Sequence, residues 1–214
     1  MTEAEWLACE DPERMLELVR DPGRYRRMLL FAVGCLERMA VTTGFQDSQR
    51  ARILNLAEAR ADGDFVDPEP HITSAVVSSM RPHPSERIYL DLLVAPRQLN
   101  VVPIAQHAAE TSATCSWPRR IVTYDTERAA QAALLREVAG NPFRHVTFSH
   151  SWRTSTVLAI TAQIYQWCDF SAMPILADAL QDAGCDCTDV LDHCRNAGSH
   201  VRGCWVVDLV LGKE

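Results

Sequence analysis

The chain has 214 residues, 47% apolar and 23% charged, which is enough to bury a core without disulfide or metal staples. Its formal charge is −7, from 28 acidic and 21 basic residues. That balance argues against a duplex nucleic-acid surface, which needs clustered cations to displace counterions from phosphates. The one dense basic run is Arg20, Arg24, Arg26 and Arg27 beside Tyr25. It reads as the solvated face of a helix, with single-strand stacking as the minority alternative. On the solvated-face reading, Arg26 and Arg27 are dispensable for folding.

The first residues carry helix-start signals. Thr2 and Glu5 fit a capping box, in which hydroxyl and carboxylate satisfy reciprocal backbone donors. Asp11-Pro12 places an N-cap residue before a proline at the first helical position, with Met15, Leu16, Leu18 and Val19 as the apolar face. Over residues 25–39, Met28, Leu29, Ala32, Val33, Leu36 and Met39 recur at helical steps and predict one buried stripe. A further helix is expected over 48–60, through Ile53, Leu54 and Leu56.

Prolines at 68, 70, 82, 84, 96, 103 and 118 break the middle of the chain. Short helices are expected there over 72–80, 86–94 and 101–112, with an extended stretch near 121–123. Regularity returns at Asp125, read as the cap of a helix that Gly140-Asn141-Pro142 ends. Residues 143–151 read as an ordered aromatic loop, in which His145, Ser149, His150 and Ser151 form hydrogen bonds rather than an active site. Helices are expected over 154–168, 171–184 and 188–195. The tail at 203–211 is ambiguous between strand and helix, and its helical context decides for helix. Trp152, Trp167 and Trp205 are expected to anchor the C-terminal core.

The fold expectation is therefore mostly α: an irregular multi-helix bundle with a proline-broken middle segment. Residues 1–120 and 121–214 form an N-terminal and a C-terminal helical region, which can also share one continuous core. No stretch approaches the roughly 20 apolar residues of a membrane span, and the first residues lack a signal-peptide pattern. The expected location is cytoplasmic, without membrane contact. In that reducing compartment the eight cysteines are thiols or metal ligands rather than disulfides.

Cys185, Cys187, His193, Cys194, His200 and Cys204 crowd one short C-terminal stretch. Thiolate and imidazole are the donors zinc prefers, and four of them make a tetrahedral site. One set is Cys185, Cys194, His200 and Cys204, with Cys187 or His193 as substitutes. Paired CxxC or HxxxH knuckles are lacking, and free cysteine commonly packs as a small hydrophobe. The packing reading assigns no cofactor, whereas the metal reading assigns Zn2+. A nucleophilic reading pairs Cys194 with His193, or Cys204 with His200, and takes Asp192 or Asp208 as orienter. No GxGxxG, GxxxxGK[ST], HExxH or GxSxG motif is present.

Residues 1–7 with Asp11-Pro12, and then Arg26-Arg27-Met28-Leu29-Leu30-Phe31-Ala32, resemble the start of a family of uncharacterised helical proteins from bacterial, planctomycete-type genomes. The closer likeness lies in Leu134-Leu135-Arg136, Gly140-Asn141-Pro142-Phe143-Arg144, residues 174–180 and Ala183-Gly184-Cys185. It continues through His193-Cys194-Arg195 and His200-Val201-Arg202-Gly203-Cys204-Trp205-Val206-Val207-Asp208. The resemblance covers about half the chain and departs in the middle, where the family tends to be alanine-rich and helical. It implies a helical fold, bacterial origin and a Cys/His segment that belongs to the family pattern, but no activity.

Two functional expectations lead. The first is a non-enzymatic helical module that binds another protein in interaction or regulation. The alternative is a small zinc-binding protein or enzyme using the C-terminal cluster; RNA binding through residues 20–27 ranks last. If Trp205 is core, Trp205→Ala costs about 3–5 kcal/mol, and an unchanged melting curve would remove it from the core.

Overall fold

The computed structural model describes residues 1–19, 25–43, 48–63, 106–107, 110, 123–196 and 198–213, with side chains at 39–43 and 48–53 left aside. Among these, nine α-helices and no strand are present, so the fold is mostly helical. The short helices expected over 72–80, 86–94 and most of 101–112, and the extended stretch near 121–123, lie almost wholly outside the described residues.

Local capping starts the fold. In α1 (Glu3–Ala8) the Thr2 hydroxyl accepts from the Glu5 N–H, and the Glu5 carboxylate accepts from the Thr2 N–H at 2.7 Å. Asp11 caps α2 (Pro12–Leu18) by accepting from Glu13 and Arg14 N–H groups. Trp6, Met15, Leu16 and Val19 become buried, while Leu18 turns outward. The long helix α3 (Tyr25–Thr43) differs from the single stripe expected. Met28 through Val33, Cys35 and Leu36 are all buried, so it is enclosed on every side over that length. Gly34 permits part of that enclosure, because a Cβ there would sit 2.9 Å from Leu134 Cδ2. Helix α4 (Ser48–Ala61) packs on α3.

The reading of Arg26 as a solvated charge is corrected by the structure. Its side chain is 5% exposed and donates to Asp62, 3% exposed, at 3.0 Å. Helical spacing placed it beside the apolar residues, and Asp62 at the end of α4 made burial tolerable by pairing.

Helix α5 (Tyr124–Ala139) begins two residues earlier than expected. Thr123, not Asp125, caps it by accepting from the Thr126 N–H, and Asp125 sits in the first turn. Its first part holds the N-terminal helices: Arg128 pairs with Asp11 and Glu13, and Arg136 donates to the carbonyls of Trp6 and Cys9. The fully buried Glu127 accepts from Arg38 and from Gln131.

Contacts group the chain into two compact units, Met1–Arg136 and Glu137–Glu214, with the division inside α5. In the second unit, α6 (Ser155–Trp167), α7 (Met173–Asp182), α8 (Thr188–Arg195) and α9 (Trp205–Leu211) surround one core of Val157, Ile164, Leu176, Leu180, Val190 and Val206, among others. Thr154 caps α6, Asp169 caps a short 3-10 turn before α7, and the tail at 205–211 is helical. The loop at 143–151 is non-helical up to a 3-10 turn at His150–Trp152, with Ser149 and Ser151 hydroxyls 2.7 Å apart. Arg153 closes the far end of α9 by donating to the Leu209 and Val210 carbonyls, both at 2.9 Å.

Trp167 does not anchor this core; it is 70% exposed. The buried face of α6 runs through Val157, Thr161 and Ile164. At about 100° per residue that series continues to position 168, leaving Trp167 off the face. Trp152 and Trp205 pack against the core while remaining half-buried.

Arg26→Ala should lower stability by about 3 kcal/mol or more, because the buried Asp62 carboxylate loses its guanidinium. Urea unfolding measures this, and a midpoint unchanged from wild type would return Arg26 to the solvent-facing surface.

Candidate metal centre

Four side chains converge in the second unit: Glu137, His193, His200 and Cys204 each offer a donor atom within 4.8 Å of the others. Glu137 comes from the last turn of α5, just before Gly140. Gly140 takes φ +70, and a Cβ there would lie 3.3 Å from the Trp205 indole. The backbone turn requires glycine, and a Cβ there would also press on the ring. His193 lies on α8, whose Val190, Leu191 and Cys194 face the core. His200 belongs to the connection between α8 and α9. Gly203, at φ +92, then turns the chain so that Cys204 becomes the N-cap residue of α9. The Cys204 N–H donates to the Val201 carbonyl at 2.9 Å and closes that turn.

The carboxylate of Glu137 is the hub. One oxygen lies 2.9 Å from His200 Nδ1 and the other 3.4 Å from His193 Nε2. His193 Nε2 is also 3.1 Å from Cys204 Sγ. On the far side of the His193 ring, Trp205 Nε1–H donates to Nδ1 at 3.1 Å. The two imidazoles meet edge to face with centroids 5.0 Å apart. His200 Nε2 is buried without a hydrogen-bond partner.

Environment sets the protonation of each group. Burial opposes ionisation of Glu137, but hydrogen bonds from His193 and His200 outweigh it and bring the carboxyl to about 2. Burial likewise opposes a charge on His200, yet the hydrogen bond to Glu137 raises its pKa overall. The Cys204 thiol is pushed well up, first by burial and then by the neighbouring carboxylate. A buried thiol held protonated is a poor nucleophile, so the geometry works against the Cys204–His200 catalytic pairing. The ring nitrogen that approaches Cys204 belongs to His193, not His200.

Of the sequence-predicted donors, His200 and Cys204 stand in this group, joined by the substitute His193. Cys185 and Cys194 lie in the apolar core instead, outside the four-donor group. Burial pushes the Cys194 thiol up to about 12 and also raises Cys185. Both behave as small hydrophobes. Cys187 precedes α8, half-buried and also outside the group. Sequence reading missed Glu137, which lies 63 positions before His200. A lone glutamate at the end of an amphipathic helix carries no spacing signal, so only the fold identifies it.

The donor chemistry fits a borderline-soft divalent ion. Tetrahedral Zn2+ holds N, O and S donors at about 2.0–2.3 Å, which separates neighbouring donors by about 3.3–3.7 Å. The closest separations here are 2.9, 3.1 and 3.4 Å and the group as a whole lies within 4.8 Å, so the nearest pairs are already close to cage spacing and the widest would draw in by about an ångström. No protein-family model, curated protein or solved structure matches the chain.

The pair of Glu137 and His200 generates a pH optimum in chelator-treated protein. The Glu137 contribution is complete above the ordinary 4.5 and lost as pH falls from there through about 2. The His200 contribution is complete below the ordinary 6.5 and lost as pH rises through its higher folded value. Urea midpoints should therefore peak between 4.5 and 6.5, and Glu137→Gln should flatten both sides. A wild-type profile already flat across this range would remove the buried pair.

Proposed function

We propose that this chain is a non-enzymatic helical module whose C-terminal unit is organised by one divalent ion of the zinc class. Glu137, His193, His200 and Cys204 would hold it. The observation that carries the reading is the convergence of these donors from a helix end, a second helix, a loop and a helix start. An ion there joins segments that hydrogen bonds among the same side chains already draw together.

A structural role is favoured over a catalytic one by burial and donor count. Cys204 is fully buried, and the side chains of His200, Glu137 and His193 are 6%, 11% and 16% exposed. Four protein donors complete a tetrahedron and leave no position for water or substrate, the pattern of structural rather than catalytic zinc. Metal binding would also resolve the protonation of Cys204, because a coordinated thiol gives up its proton outright. Among the described residues no helix is long and apolar enough to cross a membrane.

Metal content of the purified protein, measured by mass spectrometry, tests the reading. About one Zn2+ per chain is expected, lost in His200→Ala and Cys204→Ser and retained in Cys194→Ser, whose thiol packs in the core. Substitution with Co2+ should give a tetrahedral, thiolate-bearing absorption spectrum. Absence of metal after expression and dialysis against Zn2+ would overturn the proposal.

A further inference from the structure

The hydrogen bond from Trp205 has a consequence for how an ion enters the site. An indole N–H can only donate, so His193 Nδ1, 3.1 Å from Trp205 Nε1, must present its lone pair. A neutral imidazole in that arrangement carries its proton on Nε2. This is the nitrogen that faces Cys204 Sγ at 3.1 Å and Glu137 at 3.4 Å. The Nε2–H thus points to where an ion would sit, bonded to the same sulfur and carboxylate that an ion would use.

A metal needs the Nε2 lone pair. The proton must then move to Nδ1, where it meets the Trp205 N–H donor to donor, and the hydrogen bond is lost. Metal-bound histidines ordinarily have the reverse arrangement, with the outer N–H donating to a carboxylate, carbonyl or water. His200 meets no such opposition. Its Nδ1 approaches Glu137 at 2.9 Å, and its outer Nε2 is buried without a partner, so a proton can move outward without displacing a donor.

We propose that Trp205 is a positioning residue that holds His193 in the tautomer opposed to metal ligation, so that metal uptake requires a proton shift across His193 and release of the Trp205 hydrogen bond. This rests on the metal reading above and adds a regulatory element to that site. No bond to carbon changes. The Nε2 proton is lost and Nδ1 gains one from solvent, the Cys204 thiol releases its proton to solvent, and the metal takes the Nε2 lone pair and the thiolate. Because Trp205 is the first residue of α9, the start of that helix is fastened to His193 before binding and released by it. Trp205 therefore lowers the affinity of the site, although it lies next to a ligand and packs against the ring.

Long-range 1H–15N correlation spectra of the imidazoles in chelator-treated wild-type protein test the tautomer directly. His193 should show Nε2–H and an unprotonated Nδ1, and the opposite pattern overturns the inference. Zn2+ affinity, measured by competition with a chromophoric chelator, tests the consequence. Trp205→Phe keeps an aromatic ring and removes the donor, and it should bind Zn2+ about threefold to tenfold more tightly, the worth of one net hydrogen bond. Equal or weaker binding by a folded Trp205→Phe protein, with wild type binding normally, overturns the inference and leaves the metal reading standing. If neither protein binds Zn2+, both fall. Should Trp205→Phe not fold, the wild-type imidazole spectrum still decides.

Discussion

The second unit depends on a buried negative charge, the Glu137 carboxylate, 11% exposed at the end of α5. A carboxylate taken out of water must find hydrogen-bond donors or become neutral, and the second course would leave a polar group in the core. Here the donors come from His193 on α8 and His200 on the following connection. Satisfying one side chain therefore fixes three parts of the chain at once. The helix end, the turn at Gly140, the Trp205 ring and the entry into α9 all gather around that carboxylate.

Cysteine shows how far position outweighs residue type in this chain. Cys185, Cys194 and Cys204 are all buried, and burial raises all three thiols. Cys185 and Cys194 lie among Leu176, Leu180 and Val190, where sulfur fills space. Cys204 packs against the same core, but its sulfur faces the His193 Nε2 at 3.1 Å. Apolar neighbours leave a thiol inert, whereas a carboxylate and two imidazoles make it a candidate ligand.

The first unit solves the same problem of buried charge by ion pairing. Arg26 and Asp62 are both nearly inaccessible, and the fully buried Glu127 is met by Arg38 and Gln131. In each case a helix that is apolar over most of its length carries one charge into the interior, and a second helix supplies its complement. Such pairs contribute little net stability compared with apolar replacements, but removing either member takes a charged partner from a buried charge. They favour one arrangement of helices over alternatives in which the charge has no partner.

The sequence by itself determined what depends on residues three or four positions apart. The Thr2–Glu5 capping box, the Asp11-Pro12 start and the Gly140 stop were legible, because a cap and its backbone donors lie within one helical turn. The helical character of the chain was legible for the same reason, from apolar periodicity. The site was legible only in part: His193, His200 and Cys204 could be named from their residue types, but so could Cys185 and Cys194. Only the tertiary structure separated them. It also supplied Glu137 from 63 positions away, buried Arg26 against Asp62 and turned Trp167 outward. Each of these outcomes depends on which surface a neighbouring helix presents, and that is decided by packing between segments distant in sequence, where local spacing carries no information.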